Sequence, residues 1–428
     1  MQNNKKLTIG AARVKIDIPA DFFPYTSFRG RYYTGQHDDI YVRCILVDNT
    51  QERALIVSME IGDLGDIDVW LDRVGREADV PTGNIFLTVT HNHESPHVSD
   101  SHNQHVGDVE KTELFGELVW NATQKAIQVA KENMKPGRVG YGTGECDMNV
   151  NRDLIVGSRS IMAPNSRGIV DKTVAVIRFE DLDGKPLAFF INYPVHACVM
   201  FDVAIKDGGM FVTGDLPGET SKYIEERYGN DVVALWTSGA AADLNPKFMA
   251  KQPTFDSDGN FVRHNAGEGG YLLVRLQAEY LANEVLNISE EIDRTSATPV
   301  IKGIQRKYMV PGQKKTEDPF NVSVDHRYKD GNPVELHLSV LLLHNIALVG
   351  VPGEPVCSIG MKVKEALPFR NGIVVAHCNG SMSYMSDEFG FENRTFEAVV
   401  SHVKRGVAEE VLVDYPLELI DELLSNDC

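Results

Sequence analysis

No two cysteines in this chain are separated by only two residues. The six present, Cys44, Cys146, Cys198, Cys357, Cys378 and Cys428, are scattered along its length. That excludes a thiolate metal site of the C-x-x-C kind, and isolated thiols suit a reducing compartment. Long apolar runs are also lacking. Leu341–Leu343 and Ile346–Val351 are strand-length and broken by His344, Asn345 and Gly350, well short of the roughly 20 residues that span a bilayer. The start, Met1–Thr8, is polar and basic, with no apolar signal-peptide core behind it. The expectation is a cytoplasmic protein without membrane insertion. Basic residues are in deficit, 42 against 61 acidic, for a net charge of −19. Such a surface repels phosphate backbones, so nucleic acid is not an expected partner. There is no internal repeat, and no signal for an oligomeric state.

What the chain does have is the composition of a globular protein: 428 residues, 43% hydrophobic and 24% charged. Ala54–Met59 and Asn84–Thr90 read as buried strands, with a helix over Asp66–Ala78 between them. A long amphipathic helix is predicted over Leu114–Glu132, with Pro136-Gly137 as a turn behind it. Strands follow at Val139–Gly142, Thr173–Phe179 and Leu187–Asn192, the last two joined by a turn over Asp181–Gly184. Asp231–Thr237, Val300–Tyr308 and two segments within Leu336–Val351 also read as strands. Helices are expected at Gly218–Tyr228, Tyr271–Leu286, Pro355–Leu367 and Phe396–Glu410. Residues 251–268 and 311–332 are polar and read as long surface loops over a site. The pattern is that of one mixed α/β domain over 1–428, with helices covering sheets.

Four segments carry chemistry. Thr90-His91-Asn92-His93-Glu94 directly follows an apolar strand, in a stretch that also holds His97, His102 and His105. On an extended chain His91 and His93 point the same way, about 6–7 Å apart. Imidazole is a common zinc ligand, and strand ends commonly carry catalytic groups. Asn192-Tyr193-Pro194-Val195-His196 likewise follows an apolar strand. Gly350-Val351-Pro352-Gly353-Glu354 sets a carboxylate between a strand and a helix. Ser238 to Pro246 reads S-G-A-A-A-D-L-N-P, small residues that permit close backbone approach. Taken singly, each also admits a bland reading: a polar loop, a structural histidine, a favourable helix N-terminal charge and a tight connection.

Together the four segments resemble the neutral/alkaline ceramidases, zinc amidases that cleave the N-acyl bond of ceramide. Thr90-His91-Asn92-His93-Glu94 matches the family's T-H-T-H-S motif, which puts His91 on the metal and His93 beside the substrate. His196-Ala197-Cys198-Val199-Met200 stands at the second zinc histidine. Pro352-Gly353-Glu354 matches the glutamate ligand, and Tyr384, after Asn379-Gly380, matches the tyrosine that completes the shell. Asn149-Val150-Asn151-Arg152 fits the N-x-N-R segment that brings a substrate-side arginine, and Thr213-Gly214-Asp215 echoes S-G-D. The resemblance runs from about residue 8 to about 410. It implies central β-sheets flanked by helices in an αββα-like arrangement, with Zn2+ held by His91, His196, Glu354 and Tyr384 at the strand ends.

Two departures stand out. Ala242-Asp243-Leu244-Asn245-Pro246 matches the family's G-D-V-S-P, so Asn245 replaces a serine implicated in catalysis. Phe396-Glu397 stands where a Y-E pair is expected. The immunoglobulin-like C-terminal domain of typical ceramidases is expected to be absent. The resemblance therefore implies metal-activated water attacking a non-peptide amide (C–N) or ester of a small soluble substrate. Arg152 would steady the oxyanion, His93 would carry the proton, and Asn245 would orient by hydrogen bonds. The alternatives are a carbohydrate-active zinc hydrolase or lyase on this scaffold, and a zinc-binding pseudoenzyme.

Overall fold

The computed structural model describes residues 6–27, 29–99, 106–205, 208–320 and 322–425. Among them two β-sheets pack face to face, and helices cover the outer face of each. The larger sheet has the strand order Val233–Ser238, Pro186–Tyr193, Thr173–Asp181, Lys135–Glu145, Thr8–Lys15, Tyr41–Asp48, Arg53–Met59, Ile85–Val89, with Thr295–Ser296 paired to Lys135–Glu145. The smaller sheet has the order Ile301–Val310, Val334–Leu343, Ile346–Gly350, Asn371–Val375.

Side-chain alternation explains the layering. Within Arg53–Met59, Ala54 and Ile56 enter the core between the sheets, where they meet Leu341, Ile346 and Leu348. Leu55, Val57 and Met59 point the other way, against Trp70 and Val74 of helix Ile67–Ala78 and Phe115 and Val119 of helix Val109–Glu132. Within Ile346–Gly350, Ala347 and Val349 face Ile359 and Val363 of helix Cys357–Ala366 and Leu412 and Leu419 of helix Val407–Ser425. A strand covered on both faces has no polar side, so it reads as an unbroken apolar run. Helices Asp215–Arg227 and Gly270–Glu291 cover the other end of the larger sheet. No helix among the described residues is long and apolar enough to cross a membrane.

Three parallel strand pairs position the site. Arg53–Met59 pairs with Ile85–Val89, Pro186–Tyr193 with Val233–Ser238, and Ile346–Gly350 with Asn371–Val375. Each pair is joined by a connection that contains a helix. In such βαβ units the loops leaving the carboxyl ends of the strands are where ligands collect.

Four expectations need correction. Pro136-Gly137 is not a turn but lies inside strand Lys135–Glu145, where Pro136 pairs with Thr8. Residues 251–268 form a hairpin, Lys251–Phe255 with Phe261–Asn265, whose second strand is wholly exposed. Without a buried face it shows no apolar alternation. Within 311–332, Gln313–Lys314 pairs with Lys329–Asp330. The helix expected over Phe396–Glu410 is two, Phe396–Val400 and Val407–Ser425, separated at Gly406 with φ +82°. A hairpin that local pattern did not reveal, Asn149–Val156 with Arg159–Asn165, pairs with Leu244–Pro246 and sets Asn151 opposite Leu244. That register carries Arg152 to Asn245.

Candidate metal centre

The three strand-end segments converge on one small buried cavity, lined by His91, His196, Ser238, Glu354 and His377 among others. His91 leaves strand Ile85–Val89 with φ +56°, a left-handed conformation that turns the chain back on itself. Its Nδ1 lies 3.0 Å from the carbonyl of Gly62. His196 is held the same way, with Nδ1 3.1 Å from the carbonyl of Leu244. A ring nitrogen facing a carbonyl carries the proton, so in both rings Nε2 presents its lone pair. Both lone pairs face one carboxylate. Glu354 Oε2 is 3.1 Å from His196 Nε2 and 3.4 Å from His91 Nε2.

Two lone pairs and a carboxylate oxygen at these distances repel unless a proton or a cation lies among them. The donor set fits a borderline divalent ion such as zinc, which binds imidazole nitrogen and carboxylate oxygen. Protonation suits the same role. Burial, reinforced by Arg152, lowers the pKa of His196 and keeps the ring neutral as a ligand must be. Burial pushes the Glu354 carboxyl upward, but positive charge or a proton on the His91 and His196 side outweighs it and holds the group well below the usual range.

His93 does not stand on an extended strand with His91. The left-handed turn at His91 brings the two rings to 4.8 Å between centroids, perpendicular to one another. The ligand atoms of His91, His93 and His196 lie within 4.8 Å of one another. Both ring nitrogens of His93 are buried without a hydrogen-bond partner. Burial, then the neighbouring His91 and His196, depresses its pKa strongly. A neutral imidazole with no partner, beside His91 and His196, can take or give a proton.

Arg152 approaches the same nitrogen of His196 that faces Glu354. Its Nη1 is 3.3 Å from His196 Nε2 and donates to Asn245 Oδ1 at 3.2 Å. Its guanidinium sits 5.6 Å from the centroid of the Tyr384 ring. Tyr384 pairs in register with Glu354 across the short parallel ladder Glu354–Pro355 and Tyr384–Met385. Its ring centroid is 6.5 Å from that of His196, near parallel. The S-G-A-A-A-D-L-N-P segment is tied down through Asp243, whose Oδ1 accepts from Cys357 N at 2.7 Å. Burial raises that carboxyl to about 7.

The structure thus gathers His91, His93, Arg152, His196, Asn245, Glu354 and Tyr384 around one centre. His97 lies away from it, with Nδ1 3.3 Å from Asp63. His102 and His105 fall outside the described residues. Asp215 of Thr213-Gly214-Asp215 accepts from Val199 N and Met200 N at 3.1 and 2.9 Å, which braces the loop after His196. His377 was missed. It follows strand Asn371–Val375 as His91 and His196 follow theirs, and the same pattern of an apolar strand ending in histidine would have found it.

No family model matches the chain. The neutral ceramidase of Pseudomonas aeruginosa is 25% identical over 185 residues, or 42% of this chain. The match spans only about a quarter, 26%, of that relative's length. A solved ceramidase complexed with C2 superposes with a TM-score of 0.74 at 16% identity, over 98% of this chain and 76% of that one. The structure of neutral ceramidase from Pseudomonas aeruginosa gives 0.72 at 16% identity, over 99% and 75%. The chain has a ceramidase-like fold.

Proposed function

We propose that this ceramidase-like chain is a zinc-dependent hydrolase that cleaves a non-peptide amide, or an ester, of a small soluble substrate. The observation that carries the reading is the pair of Nε2 lone pairs, on His91 and His196, aimed at the Glu354 carboxylate. That arrangement calls for positive charge between the three groups, beyond the Arg152 guanidinium that reaches only His196 Nε2, and a divalent ion supplies it. The named activity of the ceramidase relatives supports amide chemistry.

His91, His196 and Glu354 would hold the ion, with Tyr384 beside Glu354. When bound, zinc supplies Lewis acidity and lowers the pKa of water to about 7. The chain's own groups do the rest. Arg152, pointing past Asn245 towards the centre, neutralises charge that develops on a carbonyl oxygen. His93 hands a proton to the departing nitrogen or oxygen. Asn245 orients Arg152 by accepting from its Nη1, a task its amide oxygen performs without being a nucleophile.

The test joins metal analysis to a substrate panel. Purified protein should contain one zinc per chain, and His196→Ala should contain little. Short N-acyl amides should be cleaved, and a chelator should stop turnover until zinc is returned. Cleavage of glycosides with amides and esters untouched would replace this reading with a carbohydrate-active one. Zinc binding without turnover on any class would make the chain a pseudoenzyme.

A further inference from the structure

We infer that His377 is a ligand of the same ion, so that this chain's centre holds three imidazoles and one carboxylate. The inference rests on the metal-site reading above and goes beyond the four-residue set that the resemblance implies. Strand Asn371–Val375 runs parallel to Ile346–Gly350, with Val375 opposite Gly350. Its carboxyl end therefore emerges beside the segment that delivers Glu354. Three successive backbone amides then fix the chain: Ala376 N donates to Ser238 O at 2.9 Å, His377 N to Gly353 O at 3.2 Å, and Cys378 N to Val351 O at 2.9 Å. His377 is held at φ +52°, a left-handed conformation that a β-carbon disfavours. Such a conformation persists only where the surroundings over-determine it.

The fixed backbone places the ring beside the centre. The His377 ring is buried and lies against that of His91, centroids 4.0 Å apart and planes 14° from parallel. The ligand atoms of His91, Glu354 and His377 all lie within 4.8 Å of one another. Donors at about 2.0–2.1 Å from a tetrahedral zinc are roughly 3.4 Å apart, and an ion lies in the plane of each imidazole that binds it, so the His377 ring must turn out of its stack on His91 to join the set.

Donor arithmetic limits His91 to one ion. His91 belongs both to this trio and to the trio with His93 and His196. Its Nδ1 is committed to Gly62 O, which leaves one lone pair for one metal. The two trios therefore compete for one His91 lone pair. A shell with three nitrogens favours cobalt, nickel, copper and zinc over magnesium and manganese.

Cobalt substitution tests this without relying on turnover. Visible absorption of the Co2+ protein reports donor type and number, and competition with a chromophoric chelator gives affinity. His377→Asn is the variant to use, because asparagine tolerates the left-handed backbone. His377→Gly is the second, should the first fold poorly. Both should still bind one cobalt through His91, His196 and Glu354, with a changed spectrum and an affinity lowered roughly 100-fold or more. That exceeds the 10–100-fold typical of losing an outer-shell partner. An unchanged spectrum and affinity in both variants would overturn the inference while leaving the metal site intact. Failure of the folded wild type to bind cobalt or zinc would overturn the metal-site reading itself, and this inference with it.

Discussion

Arg152 and Glu397, 245 positions apart in sequence, form a buried ion pair in which Nε and Nη2 lie 2.9 and 2.7 Å from the same carboxylate oxygen. Glu397 belongs to the Phe396-Glu397 pair that replaces the expected Y-E. The hydroxyl is lost, and the carboxylate that holds the arginine is kept. Asp153 next to it is pushed well up the scale by burial and by the charge of Glu397.

Glu397→Ala should therefore destabilise the fold by about 3–5 kcal/mol, the usual cost of leaving one buried charge unpaired. Urea unfolding measures it. A change within the scatter of surface substitutions would mean the pair contributes little to stability.

Gly353→Ala should weaken metal binding without touching a ligand. A β-carbon there would stand 2.5 Å from the carbonyl oxygen of Met382 and 2.7 Å from that of Ser383. Both are backbone atoms of the segment that leads into Tyr384, so the Glu354–Tyr384 ladder must open. The expected cost in stability is about 1–3 kcal/mol, as for other overpacked sites. Thermal unfolding and chelator competition check the two effects, and a zinc affinity equal to wild type would count against the argument.

His93→Ala should keep its zinc and lose turnover by about 10²–10⁴-fold, the usual contribution of a general acid or base. His91→Ala should lose both. Metal content and rate on a cleaved substrate separate these outcomes. A folded His93→Ala protein without zinc would instead assign His93 to the metal shell, a role its place within 4.8 Å of His91 and His196 makes sterically available.

Long-chain ceramide in detergent should be a poor substrate. Asn245 stands at the serine position, with Oδ1 engaged by Arg152 and Nδ2 3.3 Å from Met249 Sδ. Phe396 packs edge-on against Tyr384, ring centroids 5.5 Å apart. Comparing product release from ceramide and from short N-acyl amides decides the point. Ceramide turnover at the level of a true ceramidase would refute it.

The amino-acid order alone carried the layered α/β character, because strands buried on both faces, such as Arg53–Met59 and Ile346–Gly350, must be apolar throughout. It also carried the strand-end placement of His91, His196 and Glu354, since each interrupts the polarity pattern just where an apolar run stops. What it did not carry was pairing between distant segments. The hairpin Asn149–Val156 with Arg159–Asn165, the register that sets it against Leu244–Pro246, and the Arg152–Glu397 contact have no local signature. Nor did the sequence disclose that His91 turns left-handed and draws His93 inward, or that His377 joins them. A backbone conformation with positive φ at a non-glycine residue is imposed by neighbouring chains: Thr90 N bonded to Met59 O and His377 N to Gly353 O are examples. Such constraints exist only once the two sheets have closed on each other.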